Sequence, residues 1–277
     1  MPANSPKIEI RAPLGPYYDA HCHYQDSRLS SWFAERGSEV EGFGIRKAVV
    51  NGTKPEDWAD VAKLASKYEY VIPSYGLHPW FVNEGFGDAI KELERLLKSR
   101  TYPIGEIGLD RWIQGYDIEL QKVAFISQLR LAKLYEVPVA IHCLRAWGML
   151  LKILQEEGPI ESGFLLHSYG GPAEMIPDFL EIGACFSISG YFALEGKERK
   201  REAFRAVPLE RLLVETDCPD MLGPQTVCPA RLGERVNGPS NIGGVYEFAA
   251  GLFGVPSLEF RDAIEANFLQ LFGRWVS

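Results

Sequence analysis

The sequence predicts a single (β/α)8 barrel, one domain over residues 1–277, with a metal site at the C-terminal ends of its strands. Three observations lead there. Eight strand-like runs alternate with helix-like segments, 277 residues suit one such barrel, and all five histidines close a strand-like run.

The first run is Tyr17–His23, YYDAHCH. Alternate side chains of a strand share a face, so His21 and His23 point together and Cys22 points away. A polar, partly helical segment leads to the second run, Ile45–Gly52. KPEDWADVAKLASKY then places Trp58, Val61, Leu64 and Ala65 on one helical face. The third run, Val71–Pro79, contains Pro73, which a central strand tolerates poorly. A helix over Asp88–Lys98 follows, and the fourth run is Tyr102–Asp110, YPIGEIGLD. The clearest helix covers Glu119–Tyr135, with Val123, Ile126, Leu129 and Ala132 in phase.

Pro138–Cys143 is the fifth run, followed by a helix through Met149–Gln155 and a sixth run, Gly163–Gly171. A helix over Ala173–Glu181 precedes the seventh run, Ala184–Gly190, and a charged helix over Glu195–Ala206 precedes the eighth, Leu212–Asp220. A Gly- and Pro-rich loop runs to Gly244, and two apolar-striped helices end the chain. Such alternation favours parallel strands with right-handed crossovers. A doubly wound open sheet is the competing topology.

Composition narrows the function. No apolar run approaches the ~20 residues that span a bilayer, and the opening MPANSPKIEIRAPLG lacks the pattern of a signal peptide. The five cysteines, scattered and without CxxC spacing, suit a reducing, cytoplasmic compartment. A net charge of −8 means that any phosphate affinity must be local rather than a property of the whole surface.

On a barrel, His21, His23, His78, Glu106, His142, His167 and Asp217 converge on one rim. Imidazole and carboxylate together suit borderline or hard divalent ions. A carboxylate such as Glu106, shared between two cations, would hold them roughly 3.5–4 Å apart, as in two-metal hydrolases. Taken singly, each residue has a plainer role. His142 and His167 end apolar strands and could simply pack there. Glu106 lies in a glycine-rich GEIG and could be an exposed turn acid, and Asp217 could cap the next helix. Their convergence on one end of different strands argues for a binuclear site. Cys22, Cys143 and Cys218 each adjoin a candidate ligand and so face away from it, as small buried apolar groups.

In order, DAHCH, GLHPW, GEIGLD, ELQKVAFISQLRLAKLYEVPVAIHC, LLHSYGG and LLVETDCPD resemble the TatD-type metal-dependent deoxyribonuclease family of the amidohydrolase superfamily, from about Tyr17 to Asn267. The resemblance implies a barrel that binds two divalent cations and hydrolyses phosphodiesters, usually in DNA; the softness of the ligands permits Zn, Mg or Mn, and also Fe or Ni. The resemblance implies His21, His23, Glu106 and Asp217 around one metal, Glu106, His142 and His167 around the other, and His78 on the substrate side. Asn237–Pro239 is similar to the family's Asn-x-Pro loop. The chain departs from the pattern where an Arg-Asp pair is usual, having Leu144 and Arg145. It also has HSYGG after the sixth strand, and Asp220 where an aromatic residue is common.

The expected enzyme is a metal-dependent phosphodiesterase or nuclease using a bridging hydroxide. Asp217 serves as general base, Glu106 bridges the metals, and His78, Arg145 and Arg111 hold the phosphate. A second reading is hydrolysis of a small amide, lactone or phosphoester, favoured by the acidic charge, Asp220 and the missing Arg-Asp pair. A silent metal-binding or interaction protein is a third, and the complete ligand set counts against it. No membrane and no obligate protein partner are expected.

Overall fold

The computed structural model describes residues 15–276. The opening stretch read for a signal peptide lies, up to residue 14, outside the described residues. Eight parallel strands carry the barrel: β1 Tyr17–Cys22, β2 Ile45–Asn51, β3 Val71–Ser74, β4 Ile104–Asp110, β5 Val139–Leu144, β6 Phe164–Leu166, β7 Ala184–Ile188 and β8 Leu212–Val214. The connecting helices are α1 Ser30–Arg36, α2 Pro55–Lys67, α3 Phe86–Ser99, α4 Ile118–Tyr135, α5 Trp147–Glu157, α6 Ile176–Glu181 and α7 Glu198–Phe204. A small antiparallel hairpin follows, β9 Arg231–Gly233 with β10 Val236–Asn237, and then α8 Ile242–Phe253 and α9 Ser257–Phe272.

The strands pair in chain order as β1-β2-β3 and β4-β5-β6-β7-β8. Backbone bonds join the two sets at both seams. The Tyr75 N–H donates to Pro103 O (3.2 Å) and the Gly105 N–H to Tyr75 O (3.1 Å). On the other side, the Asp217 N–H donates to His21 O (3.0 Å) and the His23 N–H to Cys218 O (2.8 Å). Sequential pairing with both seams joined is the barrel, not the open sheet.

The barrel floor shows how the chain closes on itself. Tyr18, Ala20, Val49, Ile72, Leu165, Cys185 and Leu213 form an interior cluster sealed by Phe268, Leu271 and Phe272 of α9. The amide of Asn267 secures that helix, donating to Leu209 O (2.7 Å) and Leu212 O (2.8 Å). Phe268 is fully buried against Tyr18, ring centroids 4.8 Å apart. Phe268→Ala is expected to cost about 3–5 kcal/mol, the range for emptying an aromatic site in a core. Chemical denaturation should show that loss with metal content per folded chain unchanged; a loss below about 1 kcal/mol would mean that α9 does not seal the floor.

Several sequence boundaries are corrected. The third, sixth and eighth runs are shorter as strands than their extended sequence implies, stopping at Ser74, Leu166 and Val214. His78, His167 and Asp217 therefore stand on the loops just beyond strand ends, because the backbone leaves the ladder where the barrel opens. The segment read as a loop to Gly244 contains the β9–β10 hairpin and the start of α8.

Candidate metal centre

Getting both histidines of β1 inward takes more than alternation. Tyr18 and Ala20 already face the interior cluster, so strict alternation would turn His21 outward. A register shift between Asp19 and Cys22 resets the phase. His21 and His23 then turn into the site, while Cys22 joins the outer core and its thiol contacts Val49 O at 3.3 Å.

The glycines of GEIG have separate reasons to be there. A Cβ on Gly105 would come within 2.5 Å of Asn51 Oδ1 and 2.8 Å of the Ala140 Cβ. Gly108 has φ +149°, and a Cβ there would lie 1.9 Å from His142 O. Glu106 between them is a buried strand residue rather than an exposed turn acid.

Glu106 is the centre of the site. Its Oε2 lies 3.4 Å from His21 Nε2 and 3.1 Å from His23 Nε2. Asp217 Oδ1 lies 3.7 and 3.5 Å from the same two nitrogens. Glu106 Oε1 lies 2.8 Å from His167 Nε2, 2.9 Å from His142 Nδ1 and 3.3 Å from His78 Nε2. The two imidazole nitrogens within each set are 3.3 Å apart. Ligand bonds of ~2.1 Å in a tetrahedron put neighbouring donors about 3.4 Å apart, so both sets fit around a divalent ion. The carboxylates favour positive charge as well. Burial opposes the charged form of His23 and His167, yet Asp217 and Glu106 on the one, and Glu106 and Glu215 on the other, raise both well above the usual imidazole range. Burial likewise opposes ionised Glu106, but His78, His167 and His142 hold it well below the carboxylate range.

Outer contacts choose the nitrogen that faces inward. His23 Nδ1 donates to Asn51 O (2.8 Å), which frees Nε2 for the site. His142 Nε2 meets Asp110 Oδ2 (2.9 Å), which frees Nδ1. His78 is the reverse case. Its Nδ1 accepts from the Trp80 N–H (3.1 Å), so in the neutral ring Nε2 keeps the hydrogen and points at Glu106 as a donor. Burial pushes its pKa down to about 4, so the ring is neutral near pH 7. Distance alone would admit His78 with Glu106 and His142 as a ligand. The backbone N–H of Trp80 cannot reverse, so the tautomer argues against it. At His21, whose Nδ1 meets Asn51 Nδ2 at 3.1 Å, turning over the amide presents the otherwise unpaired Oδ1 to an Nδ1–H and frees Nε2.

The remaining candidates sit around this centre. Asp217 has φ +49°, and its side chain caps no helix among the described residues. Asp220 is not a free carboxylate, because Arg28 grips it at 2.8 and 2.7 Å. Arg28 also grips Asp26, so two acids share one cation there. Arg145 (φ +56°) and Arg111 are exposed at the ends of β5 and β4, and the Arg111 N–H donates to Leu144 O (2.9 Å). Asn237 is buried and donates from Nδ2 to Thr216 O (2.9 Å), which places the Asn-x-Pro loop beneath the eighth-strand loop.

Sequence reasoning did not single out Asp110, Asn51, Gln121, Gln128 or Glu215. The amide of Gln121 brackets the backbone of Asp110 (2.8 and 3.0 Å), and that of Gln128 brackets Leu77, next to His78 (2.7 and 3.2 Å). Two glutamines seven apart on the buried stripe of α4 were the available signal, since buried amides need partners. Glu215 accepts from the Ser168 and Ser187 hydroxyls and lies 3.6 Å from His167 Nδ1.

Comparison with known proteins adds an independent line. The family model described as TatD related DNase matches residues 18–273. The uncharacterized metal-dependent hydrolase YjjV of Escherichia coli (strain K12) is 28% identical over 259 residues, covering 92% of this chain and 97% of its own. The 3'-5' ssDNA/RNA exonuclease TatD of Erwinia billingiae (strain Eb661) is 31% identical over 232 residues, covering 83% of this chain and 88% of its own. The crystal structure of the YjjV protein from Escherichia coli K12 superposes with a TM-score of 0.85 at 26% identity, covering 93% of this chain and 98% of that one.

Proposed function

The chain belongs to the TatD related DNase family, and from that premise we propose that it is a metal-dependent phosphodiesterase cleaving DNA, acting as one barrel unit. The observation that carries this reading is the Glu106 carboxylate, whose two oxygens face two separate donor sets. His21, His23, Asp217 and Glu106 Oε2 would hold one divalent cation, Zn, Mg or Mn. His142, His167 and Glu106 Oε1 would hold the other. Bound there, such cations supply Lewis acidity, activating water and neutralising phosphoryl oxygens.

The other steps belong to the chain's own groups. Asp217 takes the proton of the attacking water as general base. His78 offers its Nε2–H to a phosphoryl oxygen, and its neutrality keeps it a donor that does not compete with the cations. Arg145, with Arg111 beside it, binds a flanking phosphate through its planar fork. Five free, buried cysteines support a reducing, cytoplasmic location. No described helix is long and apolar enough to cross a membrane.

One observation favours the second reading, hydrolysis of a small amide, lactone or phosphoester. Asp26 and Asp220 share the single charge of Arg28, leaving net negative charge on that side of the rim. The deciding experiment is a screen of metal-reconstituted protein against single- and double-stranded DNA, RNA, bis-p-nitrophenyl phosphate and a lactone and amide panel. Hydrolysis of single-stranded DNA and bis-p-nitrophenyl phosphate is expected with Mg or Mn, abolished by chelator, and with a shallow salt dependence because few phosphates are neutralised. Turnover of a lactone or amide about a hundredfold faster than DNA, a gap of ~2.7 kcal/mol in barrier, would instead establish the second reading.

A further inference from the structure

We propose that Trp112 and Trp80 form a base-stacking platform that selects single-stranded nucleic acid for the metal centre. The proposal rests on the phosphodiesterase reading and adds to it the residues that choose the form of the strand. All four strongly exposed aromatic side chains among the described residues, Trp80, Phe81, Trp112 and Tyr116, fall in two rim segments that follow β3 and β4. Trp112 is 55% exposed and Trp80 44%. Apolar rings left open beside a cleft mark a binding surface.

Their placement is tied to the centre by one carboxylate. Asp110 Oδ2 accepts from Trp80 Nε1 (2.6 Å) and meets His142 Nε2 (2.9 Å), while Oδ1 accepts from the Trp112 N–H (2.6 Å). The Trp80 ring lies 5.2 Å from the His78 ring and 6.4 Å from the His142 ring. The two indoles are 6.5 Å apart and tilted by 31°, close to two base steps of about 3.4 Å each, so one strand can engage both. Arg111 and Arg145 are exposed on the same side. The groove of about 620 Å³ behind Trp80 and Phe81 is lined by Glu56, Asp88 and Glu92 together with Lys54, and Asp88 and Glu92 are paired with Lys91 and Arg95. The strand tracks over the side of Arg111 and Arg145, which follow the ends of β4 and β5 that carry Asp110 and His142. Aromatic faces with cations along one track are how proteins hold unpaired strands, since every base offers a π-face. Duplex bases are already stacked, and exposing one has to be paid in unstacking energy.

The test measures binding and hydrolysis separately. Metal-loaded protein carrying Asp217→Asn, to block cleavage, is titrated with a labelled single strand of about ten nucleotides and with an abasic strand of equal length. Adding Trp112→Ala is expected to weaken the base-bearing strand about tenfold to a hundredfold and to leave the abasic strand unchanged. Trp112→Phe should restore most of the affinity, and the melting temperature should hold because the side chain is exposed. The platform is overturned if the parent binds no single strand, if Trp112→Ala binds the base-bearing strand undiminished, or if both strands weaken in proportion. Base-dependent binding in a protein that hydrolyses neither DNA nor bis-p-nitrophenyl phosphate would leave the platform standing and remove the phosphodiesterase reading alone.

Discussion

Glu106→Ala is expected to release most of the bound divalent metal and to lower phosphodiester turnover roughly 10⁴-fold, several kcal/mol of transition-state charge stabilisation. The reason is geometric. Glu106 is the side chain whose oxygens reach both donor sets, 3.1–3.4 Å from His21 and His23 on one side and 2.8–2.9 Å from His167 and His142 on the other. Removing any one histidine would cost one cation a single donor; removing Glu106 costs both a charged one. Metal content per folded chain, measured beside kcat, decides the matter. Undiminished stoichiometry in Glu106→Ala would remove the bridging assignment, even if activity fell.

Asp217→Asn should separate chemistry from metal binding. The substitution keeps one coordinating oxygen and nearly the same shape, but an amide cannot take a proton from water. A fall in kcat of about 10²–10⁴ is expected, the range for losing acid–base help. Asn is also well tolerated at the left-handed backbone of residue 217, φ +49°. The melting temperature should therefore stay close to that of the parent, and at least one metal should remain, since Glu106, His142 and His167 are untouched. A capping or packing role predicts the opposite pattern, lower stability with kcat nearly intact. A variant with near-parental kcat would falsify the general-base assignment.

Gathering the donors was legible in the sequence, because it depends on short-range rules. Histidines and carboxylates placed at the ends of strand-like runs meet on one rim of any parallel barrel, whatever the details of packing. The same rules identified Cys143 as buried beside His142, since neighbours along a strand face opposite ways. Which atom each donor presents was decided only by the fold. His23 is oriented by Asn51, 28 positions away, and His142 by Asp110, 32 away. His78 takes the opposite tautomer because a turn beyond β3 aims the Trp80 N–H at its ring. The register shift in β1, which overrides simple alternation to bring His21 inward, depends on pairing with β2. Asp220 carries a different electrostatic meaning once Arg28, 192 residues earlier, closes on it. Position at a strand end reports which rim a residue occupies, and that suffices to bring the candidates together. Tautomers, ion pairing and the stacking surface arise from contacts between distant segments, and these exist only after the barrel has closed.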